Sequence, residues 1–388
     1  MAGTVPAQIP MQPTSPPRRN SGPIEFEFLA ACCSGNPIPE NLASTLNWDH
    51  LIQLAQHHGV VPQLYRQLAN LQSVPEAPFK ALREEYERSA QRSLWLTREL
   101  LRVMDALAAN GIESLAYKGP ILAEMLYGNV TSRQFSDLDI LIRSDDIPRA
   151  KAVLSGLRYQ SNLQLTPRQE REYLRSGYEY TFDSSHGRNL LELQWQVLPS
   201  FYAVDFEMGD LFARAINASS AETTIWTVSL EDLWLTLCVH AAKHLWVRLS
   251  WLCDLARLAA MPSLNWGFIE SEADRLGVKR ICSITLHLLQ KVLGVVATAK
   301  RSIGKEESDL ADRILRLLQG EIEIDPESLS YFNLTLHLRE RMSDRIRFLR
   351  RLLLTPSLGE WESIHLPDAL FPLYRGVRLV RIARRLAL

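Results

Sequence analysis

Between Tyr117 and Arg143 the chain carries a Lys-Gly pair, Lys118-Gly119, followed by Arg133, Ser136, Asp137, Leu138 and Asp139. Two carboxylates two residues apart share one face of a strand, and Ile140-Leu141-Ile142 continue the segment with the apolar character of a buried strand. Oxygen ligands on one face, close to a lysine and a glycine-bearing turn, suit magnesium-dependent phosphoryl or nucleotidyl transfer. In that chemistry two Mg²⁺ ions about 3.5 to 4 Å apart bridge the triphosphate and the attacking hydroxyl, and they need carboxylates able to share both. Asp137 and Asp139 supply two. A third is expected from a neighbouring strand, where Glu192 falls on the same face as Gln194. Lys118, Arg133 and Ser136, with the backbone amides around Gly119, are candidates to hold phosphate oxygens. The plainer readings are a solvated strand end for Asp137 and Asp139, an exposed acid for Glu192 and a snorkelling strand-edge lysine for Lys118.

Those residues need elements to hold them. Residues 24–110 carry apolar side chains at helical spacing, Leu51, Leu54 and Ala55, then Leu96, Leu100, Val103, Met104 and Leu107. Turns at Gly35-Asn36-Pro37 and around Pro75 and Pro78 divide them, which predicts two or more amphipathic helices. Asn110-Gly111 stops the last of these. Ile112 to Tyr117 reads as a strand and Pro120 to Tyr127 as a short helix closed by Gly128-Asn129; the next strand carries Asp137 and Asp139. Asp145-Asp146-Ile147-Pro148 opens another helix, with acids at its positive end. Tyr178 to Asp183, a turn at His186-Gly187 and Leu190 to Val197 predict an antiparallel hairpin ending at Pro199. From Leu230 the pattern is helical, with breaks near Gly277, Gly294, Asp325-Pro326 and Pro356, and there is no internal repeat.

The run from Tyr117 to Gly128, followed by Ser136-Asp137-Leu138-Asp139-Ile140-Leu141-Ile142, resembles the uncharacterised bacterial nucleotidyltransferase family of the DNA polymerase beta superfamily. More distantly it is similar to the Lys-Gly-Gly and Ser-x-Asp-hydrophobic-Asp signature of abortive-infection nucleotidyltransferase toxins. Gln56 to Pro62, Glu192 to Trp195, His240 to Trp246, Trp251 to Leu255 and Leu366 to Arg375 resemble the first family as well. The resemblance implies an α+β fold: a small mixed β-sheet nucleotidyltransferase core with N- and C-terminal helical extensions. It also implies transfer of a nucleoside monophosphate from a triphosphate, with Glu192, as third carboxylate, helping to activate the acceptor hydroxyl as a base. Two positions depart from the pattern. Pro120 stands where many members have Ser or Gly, which removes one amide donor although proline is natural in a first helical turn. Gln194 stands where a His is common, and an amide cannot titrate.

Length and composition set the remaining limits. A chain of 388 residues holds two or three domains, and 46% hydrophobic residues with a net charge of −1 describe an ordinary globular protein with no global pull toward nucleic acid or membrane. The expected divisions are a disordered tail at 1–22, without the apolar run of a signal peptide, a helical region at 23–110, the core at 111–220 and a helical domain at 221–388. Ile281 to Ala299 is the longest apolar stretch, and His287, Gln290 and Lys291 interrupt it as in a buried helix. Cys32, Cys33, Cys238, Cys253 and Cys282, odd in number and without CxxC spacing, suggest reduced core residues and a cytoplasmic location.

Further along, His240 and His244 share a helix face at zinc-like spacing but lack an obvious third ligand, which leaves a packed helix as the plainer reading. Lys243, Arg248 and Asp254 are candidates for the far wall of a nucleotide cleft, with Lys243 reaching a phosphate. From Arg339 onward there are eleven Arg, no Lys and five acidic residues. The Arg stripe fits either the solvated face of amphipathic helices or a surface for RNA or an acidic partner. The expected function is metal-dependent nucleotidyl transfer with Mg²⁺ or Mn²⁺ to a small molecule, tRNA, protein side chain or peptide. The alternative is a catalytically silent nucleotide-binding or scaffold protein of a biosynthetic or defence cluster. Acceptor, preferred triphosphate and oligomeric state are not legible in the sequence.

Overall fold

A computed structural model of the chain describes residues 23–35, 46–69, 71, 74–220, 223–295, 304–325 and 328–387, with the side chains at 188–189, 219–220 and 385–387 excepted. The tail expected at 1–22 and the turn residues Asn36, Pro37 and Pro326 lie outside them. The N-terminal part forms helices Pro23–Ser34, Trp48–His58, Val61–Leu68 and the long Glu76–Ala109. Along that last helix Leu96, Leu100, Val103 and Leu107 make one buried stripe. It stops as the sequence predicts: Gly111 adopts φ +66°, and the amides of Gly111 and Ile112 bond the carbonyls of Ala108 and Leu107.

Five strands build the principal sheet: β1 (Ser114–Ala116), β2 (Leu138–Ile142), β3 (Gln160–Ser161), β4 (Glu179–Ser184) and β5 (Gly187–Gln194), in the order β1-β2-β5-β4-β3. The β2–β5 pair is parallel and the others antiparallel, so the sheet is mixed. A parallel pair requires a crossover, supplied here by helices Ile147–Gly156 and Pro167–Ser176 with β3 and β4. A separate hairpin joins β6 (Ile216–Ser220) to β7 (Thr223–Thr227), and it spans the position expected to end the core.

Alternation along β2 decides what faces where. Leu138, Ile140 and Ile142 enter one apolar core with the stripe of the Glu76–Ala109 helix and with Ile147, Ala150 and Leu154. Leu141 enters a second core, which gathers N-terminal helices and the C-terminal helices Leu230–Lys243, Leu249–Ala259, Trp266–Leu276 and Lys279–Leu293. Asp139, one residue from Leu138 and Ile140, therefore emerges on the side of the second core, toward the C-terminal half.

The C-terminal Arg stripe largely turns inward. Arg351 and Arg347 pair with Asp205, Arg347 also with Asp344, Arg378 and Arg381 with the buried Glu360, and Arg345 with Glu306. These contacts fasten helices Met342–Leu354 and Tyr374–Ala387 to the rest of the molecule.

Gly119 opens helix Gly119–Tyr127 at φ +56°, and a Cβ there would lie 3.1 Å from the Asp137 carbonyl oxygen. Left-handed backbone and a close approach together require glycine. Gly119→Ala is expected to lower stability by about 1–2 kcal/mol, measured by urea unfolding. Unfolding indistinguishable from the parent would show that the turn does not bear against Asp137.

Candidate active site

The register brings the acids together. Asp139 on β2 lies opposite Glu192 on β5, and Gln194 on β5 lies opposite Glu179 on β4. All four side chains project to one face by alternation, and Asp137, two residues ahead of Asp139, joins them at the entry to β2. Glu179 is a carboxylate that sequence spacing did not single out.

Gln194 organises this group. It is 1% exposed. Its Oε1 accepts from the Tyr117 hydroxyl, while its Nε2 lies 3.2 Å from Asp139 Oδ1, 2.9 Å from Glu192 Oε2 and 3.3 Å from Glu179 Oε2. One amide thus supplies an acceptor on one side and shared donors on the other. Lys118, at the N-terminal boundary of helix Gly119–Tyr127, places Nζ 2.7 Å from Asp139 Oδ1. Burial alone would lower the Lys118 ammonium, yet Asp139, Tyr117 and Glu192 hold it well above its ordinary value.

One lysine does not neutralise so many acids. Burial, and next the adjacent Asp139, raise the Asp137 carboxyl from 3.8 to about 6, against the pull of Lys118 and Arg133. Burial, and then Glu179, Asp139 and Asp137, push Glu192 well above the carboxylate range. A surplus of negative charge on hard oxygen donors matches what a divalent cation such as Mg²⁺ binds. Among the described residues, no three His, Cys, Asp or Glu side chains are gathered as the ligands of an ion. In the present arrangement the Lys118 ammonium and the Gln194 amide stand among the carboxylates instead.

A basic wall faces the acids from the C-terminal helices. Lys243, at the end of helix Leu230–Lys243, donates from Nζ to the Tyr178 hydroxyl at 2.9 Å. Burial lowers its pKa, while Glu179 and Glu192 oppose that fall. Arg248 feels the charge of Asp137, and His240 is held well below the ordinary imidazole range by burial and then by Lys118, so it is neutral at pH 7. His240 and His244 pack on Trp251, with ring centroids 5.4 and 5.3 Å away. The link between the two helices passes through Leu245 and Trp246, both in left-handed backbone at φ +53° and +52°. Two non-glycine residues in that region cost energy, and they persist because Leu245 and Trp246 are buried and the Trp246 indole donates to Thr285.

Arg133, whose charge reaches Asp137, has its side chain engaged by a different acid. Arg133 is buried and its Nε lies 3.0 Å from both carboxylate oxygens of Asp254, which also accepts from Tyr127 at 2.8 Å. The pair ties the segment leading into β2 to helix Leu249–Ala259. Ser136 is exposed, and its carbonyl accepts from Arg92 at 2.8 Å. Asp254 belongs to this lock and not to the cleft wall with Lys243 and Arg248.

A mixed sheet bearing acidic residues on one face and enclosed by helices defines the class. The chain belongs to the family described as Uncharacterised nucleotidyltransferase, which matches residues 44–294. No curated protein and no solved structure matches it. Among the described residues no helix is long and apolar enough to cross a membrane.

The crowded acids predict a measurable linkage. With its pKa raised, Asp137 binds its proton more tightly in the folded chain than in the unfolded one. Its contribution to stability is present below about pH 4 and is lost as pH rises through about 6. In the absence of divalent cations, Asp137→Asn is expected to stabilise the protein at pH 7.5 by about 1–2 kcal/mol, with no gain at pH 4. Thermal unfolding at both pH values checks this, and a destabilised variant at pH 7.5 would contradict it.

Proposed function

We propose that this protein transfers a nucleoside monophosphate from a triphosphate to a hydroxyl or phosphate acceptor, with Mg²⁺ or Mn²⁺ as cofactor. The observation that supports the reading most is the register that sets Asp139 beside Glu192, with Asp137 on the same face and Lys118, Lys243 and Arg248 around them. Family membership supports nucleotidyl transfer in general. Asp137, Asp139 and Glu192 are the residues that would hold the metal, which when bound offsets phosphate charge and polarises the reacting oxygens.

The chain's own residues divide the remaining work. Lys118 and Lys243 bring positive charge to the phosphates, and glycine at position 119 lets the backbone pass close to the Asp137 carbonyl. Glu192, whose carboxyl burial and then Glu179 hold well above its ordinary value, suits a base that takes the proton of the acceptor hydroxyl. Gln194 holds Glu192 and Asp139 in place. Arg133 serves the site by fixing the approach to β2 through Asp254, and Ser136 offers an exposed hydroxyl at that approach. The candidate acceptors are small molecules, tRNA, protein side chains and peptides.

A second reading is a silent nucleotide-binding scaffold, and the observation that favours it is the Lys118–Asp139 ion pair on a proposed metal ligand. The two readings part on chemistry. Incubation with each labelled triphosphate, Mg²⁺ or Mn²⁺ and a cell extract is expected to transfer label and release pyrophosphate. Asp137→Asn and Asp139→Asn should each reduce transfer by about 10³-fold or more while the fold persists. Lys118→Ala should chiefly raise KM for the triphosphate, and Glu192→Gln chiefly lower kcat. Near-normal turnover in either Asn variant refutes the site assignment. Nucleotide binding without pyrophosphate release under any of these conditions supports the scaffold.

A further inference from the structure

Fourteen large apolar side chains stand exposed among the described residues, and ten of them lie between Met342 and Val380. Isolated exposed leucines need no explanation, but such a concentration does. Leu354 is exposed at the end of helix Met342–Leu354, and ahead of it the exposed apolar residues are Met342, Ile346, Leu349 and Leu353, with Met342 65% and Ile346 60% exposed. Spacings of four, three and four put them on one stripe. The opposite face of the same helix is well anchored, with Phe348 and Leu352 buried and Arg347 and Arg351 paired with Asp205. Helix Tyr374–Ala387 packs against it, bonded through Arg378 Nε to the Leu352 carbonyl, and exposes Leu379 and Val380.

On the two helices themselves the exposed charges are of one sign, and the exposed acids Glu362 and Asp368 lie on the segment between them. Arg350, Arg375 and Arg384 are exposed and make no hydrogen bond or ion pair among the described residues, whereas Asp344 and Glu360 are buried against arginines. A second copy of the same face would bring arginines against arginines, so self-pairing is disfavoured. The exposed apolar residues on the two helices are aliphatic, and no lysine occurs from Arg339 onward. Helices that lie on membranes are rich in lysine and arginine with tryptophan, phenylalanine or leucine on the apolar face, and of these the lysines and the exposed aromatic anchors are absent from these two helices. Protein interfaces, by contrast, enrich arginine and deplete lysine.

We infer that helices Met342–Leu354 and Tyr374–Ala387 form a docking surface for a protein partner that presents an amphipathic helix with aliphatic anchors flanked by aspartate or glutamate. Aliphatic residues at helical spacing would seat along the Met342–Leu353 stripe, and the partner's acids would meet Arg350, Arg375 and Arg384. The surface lies beyond the residues matched by the nucleotidyltransferase family, and the inference does not depend on the catalytic reading.

The test is selection of a displayed random peptide library against the full chain, with Ile346→Glu/Leu353→Glu as counter-selection. Both positions are exposed, so the double variant is expected to keep its circular dichroism spectrum and melting temperature. Enriched peptides should carry aliphatic residues at helical spacing flanked by acids, and the double variant should weaken their binding by about tenfold or more. Arg350→Glu should shift the selected flanks toward basic residues. Peptides with basic flanks, or binding indifferent to the double variant, would overturn the inference. So would a dimer in sedimentation, attachment to phosphatidylserine vesicles or RNA binding, if the double variant abolishes it.

Discussion

Four carboxyl groups, those of Asp137, Asp139, Glu179 and Glu192, converge on one side of a five-stranded sheet, and the charge gathered there is the constraint around which the neighbouring residues are arranged. Like charges in a partly buried site cannot all ionise freely. Here Asp137 and Glu192 hold their protons more tightly, Lys118 pairs with Asp139, and Gln194 donates among three of the acids. The amide is well suited to this position. It accepts from Tyr117 and donates to carboxylates at the same time, which an imidazole achieves only in one tautomer, and it does so without adding a titrating group.

The basic side of the cleft comes from a different part of the chain and is fixed by separate contacts. Arg133 and Asp254 form a buried ion pair between the segment leading into β2 and helix Leu249–Ala259. Tyr331, beyond the family match, donates to the Lys243 carbonyl at 2.6 Å and bonds the Tyr202 hydroxyl, so the C-terminal extension backs the wall that carries Lys243. The two left-handed residues Leu245 and Trp246 sit directly between Lys243 and Arg248, where a tight link keeps both cations near the acids. Strain retained at such a link is consistent with a functional demand on its geometry.

Much of this was legible in the sequence where a local pattern carried the information. Asn110-Gly111, the apolar Ile140-Leu141-Ile142 and the two-residue spacing of Asp137 and Asp139 specify a helix end, a buried strand and a shared face without outside help. The α+β class, with helices at both ends of a mixed sheet, followed from the same signals and from the family resemblance. Helix Pro167–Ser176 was missed because it buries only Tyr173 and is strongly polar, although Thr166 and Gln169 form a capping box that marked its start. The β6–β7 hairpin was missed because its exposed strands lack a continuous apolar alternation. Glu179 was overlooked for a different reason. Its place beside Gln194 depends on a register shift between Phe182 and Ser184, yet its alternation with Thr181 already put it on the face of Glu192. The partners of Arg133 and of the C-terminal arginines are residues far away in sequence, which no local spacing reveals.

The central claim is that the sheet-face carboxylates hold metal and triphosphate together. Crystals grown with Mn²⁺ and a non-hydrolysable triphosphate, recorded at the manganese absorption edge, test it most directly. The account predicts anomalous peaks coordinated by Asp137, Asp139 and Glu192, with the phosphates between them and the side chains of Lys118 and Lys243. Triphosphate bound elsewhere, or bound at this cleft with no manganese on the carboxylates and Lys118 still on Asp139, would contradict it.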